Sequence, residues 1–91
     1  MKLVYKKEFL RQFDLYPASL QQLVLDADIQ IKSYLEKRTA PYGLRIKKIG
    51  PNTFEARVTD KIRIVWVEKE EVVYFALLGT HDEVMRFIKN I

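Results

Sequence analysis

Between Asn52 and Val84 three runs rich in apolar residues follow one another with only short polar breaks, and a stretch so patterned has to build hairpin-connected strands of a sheet. In the first run Phe54, Ala56 and Val58 share one face while Glu55 and Arg57 share the other, because side chains alternate across a strand. Thr59-Asp60-Lys61 supplies a turn, after which Ile62, Ile64 and Trp66 alternate with Arg63, Val65 and Val67. The charged Glu68-Lys69-Glu70-Glu71 hairpin leads into Val72 to Leu78, a run apolar on both faces and so expected as a central strand. Thr80-His81-Asp82-Glu83 then has capping-box spacing, opening a helix with Val84, Phe87, Ile88 and Ile91 on its inner side.

The first half reads differently. Met1 to Tyr5 is a short β-compatible segment, and from Lys6 the apolar residues Phe9, Leu10 and Phe13 recur at helical spacing until Tyr16-Pro17 ends the helix. Ser19-Leu20-Gln21-Gln22 has the form of a capping box, and Leu20, Leu23, Val24, Ala27, Ile31, Tyr34 and Leu35 continue an apolar stripe to about Arg38. Pro41-Tyr42-Gly43 breaks this helix. The sheet is expected to start at once, with Leu44 and Ile46 on one face and Arg45 and Lys47 on the other, before a turn at Gly50-Pro51-Asn52. The order β-α-α-β-β-β-β-α implies an α+β domain, with helices packed on one face of a mainly antiparallel sheet. With no repeat, low-complexity segment or linker, residues 1–91 are expected to form one domain.

Composition closes off several kinds of chemistry. The 48% hydrophobic content suffices for a core, and the absence of cysteine removes disulfides, thiol nucleophiles and cysteine-based zinc sites together. A single histidine makes no transition-metal cluster, and no glycine-rich phosphate loop is present, so neither metal nor cofactor is expected. No apolar run approaches the roughly 20 residues needed to cross a bilayer, and MKLVYKKEFL has no continuous apolar core of a leader, so a soluble cytoplasmic protein is expected. The net charge of +4 is unevenly placed: residues 41–67 hold six Lys/Arg against two Asp/Glu, whereas residues 68–91 hold three against five. A positive field on the strands attracts phosphates or an acidic protein.

If Phe54, Ala56, Ile62, Ile64 and Trp66 face the helices, Arg45, Lys47, Arg57 and Arg63 lie on the opposite, outer face, where they form a basic patch. A solvated sheet surface is the plain alternative, since Arg and Lys are usually exposed. His81 is the natural acid/base candidate, because imidazole ordinarily titrates at about 6.5; its other reading is a residue of the first helical turn. Asp82 and Glu83 suit the positive end of the helix dipole, with Asp82 kept as a second acid/base candidate. Glu55 is either a base or the partner of an arginine in a strand-surface ion pair.

Taken in order, Gly43-Leu44-Arg45-Ile46-Lys47-Lys48-Ile49, Phe54-Glu55-Ala56-Arg57-Val58, Arg63 within Ile62 to Val67, and Gly79-Thr80-His81-Asp82-Glu83-Val84 resemble the toxin side of the RelE/ParE superfamily of toxin-antitoxin modules. The resemblance covers the last half strongly and the helical half weakly. It implies a small microbial-ribonuclease-like α+β domain with two N-terminal helices on a curved sheet and a short C-terminal helix. It also implies a metal-independent endonuclease that cleaves mRNA on the ribosome, an mRNA interferase held in check by a cognate antitoxin protein. Arg57, Arg63 and His81 would then be catalytic, and Arg45, Lys47, Lys48 and Lys61 would contact RNA. Two positions depart from the pattern: Met85 stands where many active members carry a tyrosine, and Glu55 where others carry a basic residue. A poison of DNA gyrase, as in the ParE branch, and a homologue that only binds its antitoxin are the alternatives.

Overall fold

The computed structural model describes residues 1–39 and 43–90. Its elements are β1 (Lys2–Tyr5), α1 (Lys7–Leu15), α2 (Ala18–Lys37), β2 (Lys47–Gly50), β3 (Thr53–Arg57), β4 (Ile62–Lys69), β5 (Val72–Thr80) and α3 (His81–Lys89). The order is the expected one. The strands form one sheet in the order β1-β5-β4-β3-β2, in which β1 pairs parallel with β5 and every other neighbour is antiparallel. No helix among the described residues is long and apolar enough to cross a membrane.

The inward residues expected from alternation make the core. Ala56, Ile64, Trp66 and Phe75 are fully buried beside Phe9, Val24, Ile31 and Leu35 of α1 and α2. Aromatic rings link the layers: Tyr5 stacks on Phe75 at 4.7 Å between centroids, and Trp66 lies between Phe75 and Phe54. The other sheet face has its own small buried zone. Val65 points away from Ile64 and Trp66 yet is fully buried, as is Val84 of α3, which packs against β4 and β5.

Four local expectations are corrected. Ser19-Gln22 forms no capping box, because Pro17, with φ held at −66°, already starts the helix and its carbonyl accepts from the amides of Leu20 and Gln21. Leu10 and Leu23, assigned to apolar inner stripes, are about half exposed, while Asp28 is buried instead. Two partners satisfy Asp28, the Tyr5 hydroxyl donating at 2.7 Å and the Lys32 ammonium at 2.8 Å. Burial pushes the Tyr5 phenol above its ordinary value, and the hydrogen bond to Asp28 pushes Lys32 up. The second strand, β2, begins at Lys47, not Leu44, because the backbone is left-handed at Arg45 (φ 49°), which breaks the alternation. Arg63 is the fourth, described below. Pro41 and Tyr42 of the expected helix break, and Ile91 of the last helix, lie outside the described residues.

Glu70 and Glu71 form the two-residue loop between β4 and β5, both at positive φ (51° and 66°), the geometry of a type I′ hairpin turn. Glutamate has a Cβ that resists this region, whereas Asn-Gly favours it. Replacing the pair with Asn-Gly is therefore expected to stabilise the fold by about 1 to 2 kcal/mol, read as a higher urea midpoint with an unchanged slope.

Candidate functional site

The outer face of β3 and β4 carries a cleft of about 320 Å³, with Glu55, Arg57 and Arg63 on its floor. Arg45, Ile46 and Lys47 form one wall, and His81, the first residue of α3, borders it from the opposite side. The pairing registers explain the gathering. Lys47 lies opposite Glu55 across β2 and β3, Arg57 opposite Arg63 across β3 and β4, and Arg63 opposite Gly79 across β4 and β5.

Arg63 is the residue whose setting differs most from expectation. Strand alternation puts it on the outer face and so predicts an exposed side chain, but it is only 8% exposed. Its Nε lies 3.5 Å from Glu55 Oε2, and its Nη1 donates to the carbonyls of Thr59 at 2.9 Å and Asp60 at 3.0 Å. A cation can sit this deep because a carboxylate and two carbonyls take up its donors. Nη2 has no hydrogen-bond partner among the described residues and is not a buried orphan. Glu55, itself 5% exposed, is thus the arginine's ion-pair partner, but a buried one at the floor of the cleft.

Arg57 is freer. Its side chain is 33% exposed, and its one ionic neighbour among the described residues, Asp60 Oδ1, is 3.9 Å away. Its amide donates to the Leu44 carbonyl at 2.8 Å, which ties the irregular segment before β2 to the edge of β3. Leu44 is buried as an anchor, and the left-handed turn at Arg45 brings Arg45 and Lys47 to the same wall although no continuous strand joins them.

His81 is held by the start of α3 rather than by other site residues. The expected capping box is present: the Thr80 amide donates to Glu83 Oε1 at 2.8 Å, and the Glu83 amide donates to Thr80 Oγ1. Gly79 permits this closure, because a Cβ there would meet Glu83 Oε1 at 2.9 Å. The imidazole itself is 62% exposed, with Nδ1 3.6 Å from Asp82 Oδ1.

The structure thus brings Arg45, Lys47, Glu55, Arg57, Arg63 and His81 together and leaves Lys48, Lys61 and Asp82 off the cleft lining. Lys48 alternates with Lys47 on β2, Lys61 lies in the β3–β4 turn, and the Asp82 side chain is 90% exposed. Sequence reasoning passed over Ile46, the apolar part of the wall, and Thr59, which closes the turn beneath Arg63. Among the described residues no group of three His, Cys, Asp or Glu side chains is placed to hold a metal.

By sequence the chain matches no protein-family model and no curated protein. Solved structures are similar over nearly its whole length. The RelB-RelE antitoxin-toxin complex from Methanococcus jannaschii aligns with a TM-score of 0.65 at 15% identity, covering 92% of this chain and 96% of that one. The Escherichia coli DinJ-YafQ toxin-antitoxin complex gives 0.69 at 12% identity, covering 91% and 94%. A YoeB/ParE toxin from Agrobacterium tumefaciens gives 0.67 at 15% identity, covering 89% and 99%. Identities this low establish architecture and leave the site to be argued from its own residues. This chain has the fold of the RelE, YafQ and YoeB/ParE toxins.

Proposed function

We propose that this protein is a cytoplasmic toxin of the RelE/ParE superfamily, residues 1–91 forming one toxin domain, that cleaves mRNA on the ribosome and is neutralised by a cognate antitoxin. The observation that carries the reading is the cleft itself: four cations and the single histidine converge around one buried carboxylate on a fold shared with such toxins. Metal-free RNA cleavage asks for three things. The 2′-hydroxyl must lose its proton as it attacks the adjacent phosphorus, the phosphoryl oxygens must be stabilised as charge builds, and the departing 5′-oxygen must be protonated.

The residues divide among these tasks. Arg57 supplies an accessible guanidinium for the phosphoryl oxygens, and Arg63 adds its Nη2 edge from the floor. Arg45 and Lys47 hold the flanking backbone by charge. Glu55 is the base candidate and His81, on the opposite border, the acid that reaches the leaving oxygen. Exposed Leu10 and Leu25 line a groove of about 200 Å³ between α1 and α2 and offer an antitoxin helix its apolar contacts.

Induction of the protein alone is expected to stop translation and leave mRNA ends within translated codons, mapped by primer extension, while co-expression of its cognate antitoxin restores growth. Growth arrest with intact mRNA and DNA breaks would move the target to gyrase.

A further inference from the structure

The β3–β4 turn contacts both arginines on the cleft floor, yet Thr59 and Asp60 are outside the cleft lining. Its hub is Thr59. The Thr59 hydroxyl accepts from the amides of Lys61 at 3.1 Å and Ile62 at 3.0 Å, closing the turn, while the carbonyls of Thr59 and Asp60 both accept from Arg63 Nη1. Arg63 then presents Nε to Glu55, and the Asp60 carboxylate faces Arg57. A guanidinium is planar, so two carbonyls on one nitrogen and a carboxylate beside another set the direction of the third.

We propose that Thr59 is a positioning residue for the cleft: its hydroxyl holds the turn whose two carbonyls aim the Nη2 edge of Arg63 at the scissile phosphate, and Arg63 in turn holds the Glu55 carboxylate for the attacking 2′-hydroxyl. The catalytic part of this statement rests on the RNA-cleavage reading above; the positioning part does not. Removing the hydroxyl frees the amides of Lys61 and Ile62, the turn relaxes, and Arg63 loses the pair of acceptors that fixes its plane.

The test compares the parental protein with Thr59→Val, nearly the same shape without the acceptor, and Thr59→Ser, which keeps it. Thr59→Ala replaces valine if the latter does not fold. Two readouts are taken: ribosome-dependent mRNA cleavage, and the side-chain Nε–H signal of Arg63 in ¹H–¹⁵N spectra. Thr59→Val is expected to lower kcat by about 10- to 100-fold with KM within about threefold, and Thr59→Ser to stay near the parental rate. The Arg63 Nε–H signal is expected to be slowly exchanging in the parental and serine proteins and averaged in the valine protein. A signal unchanged by valine, or already as averaged as that of Arg57 in the parental protein, overturns the proposal. Should the parental protein cleave no mRNA, the RNA reading fails, and the Arg63 signal still decides whether Thr59 positions the cleft.

Discussion

Arg63→Ala is expected to cost roughly 3 kcal/mol of folding stability in addition to any loss of activity, the lower end of what breaking a buried ion pair removes. The substitution strips the 5%-exposed Glu55 carboxylate of its cation and leaves the Thr59 and Asp60 carbonyls without their donor. Arg57→Ala is the contrast, because a side chain one-third exposed and 3.9 Å from Asp60 contributes within about 0.5 kcal/mol. Urea denaturation of Arg63→Ala, Glu55→Ala and the double variant checks the cause. If the pair is what matters, the double variant is less destabilised than the two single losses added together, since neither charge is then left alone. An Arg63→Ala midpoint equal to the parental one would mean that Glu55 finds water or another cation at no cost.

That expectation reverses what the strand pattern implies for Arg63, and the reversal shows where sequence reading stops. Alternation correctly places Arg63 on the face away from Ile64 and Trp66, but a face is not an exposure. Whether an outward residue is wet depends on its cross-strand neighbours and on the turn beside it. Here Glu55 on the adjacent strand and two carbonyls of the turn close around the guanidinium. Arg57, directly opposite on the next strand, has the same pattern and a different environment.

Strand β5 makes the same point about periodicity. Val72 to Leu78 reads as apolar on both faces and does lie between two strands, yet its burial follows alternation with a slip in phase: Val73 and Phe75 are buried, then Leu78. Trp66 pairs with Phe75 and Val65 with Leu77, so Ala76 is an extra residue in the ladder, a bulge that no composition rule announces. The helices were legible wherever local chemistry sets them. The Thr80–Glu83 box forms because its partners are three residues apart, while the Ser19–Gln22 box yields to a proline two residues earlier. The gathering of Arg45, Lys47, Arg57 and Arg63 on one face was legible from alternation; the left-handed turn at Arg45, by which the segment before β2 reaches the wall without being a strand, was not.

His81→Gln is expected to slow mRNA cleavage by about 10² to 10⁴ while leaving the unfolding midpoint where it was. The stability half follows from geometry. The imidazole is 62% exposed and lies nearest Asp82, its own neighbour on α3, and the helix start is held by Thr80 and Glu83 rather than by His81. The rate half follows from position. Among the residues bordering the cleft His81 alone carries an imidazole, and Met85, one turn further on, has no proton to give. Glutamine keeps the size and a hydrogen-bonding end, so it separates proton transfer from simple contact with RNA. Single-turnover cleavage on programmed ribosomes is the measurement, with Arg57→Ala expected to fall by about 10² to 10³ through lost phosphoryl stabilisation. The two variants should differ in their response to leaving-group chemistry. A substrate whose 5′-oxygen is replaced by sulfur departs without protonation, so it should restore much of the rate to His81→Gln and none to Arg57→Ala. If His81→Gln cleaves the oxygen substrate at the parental rate, His81 is only the first residue of α3, and the departing oxygen must take its proton from water.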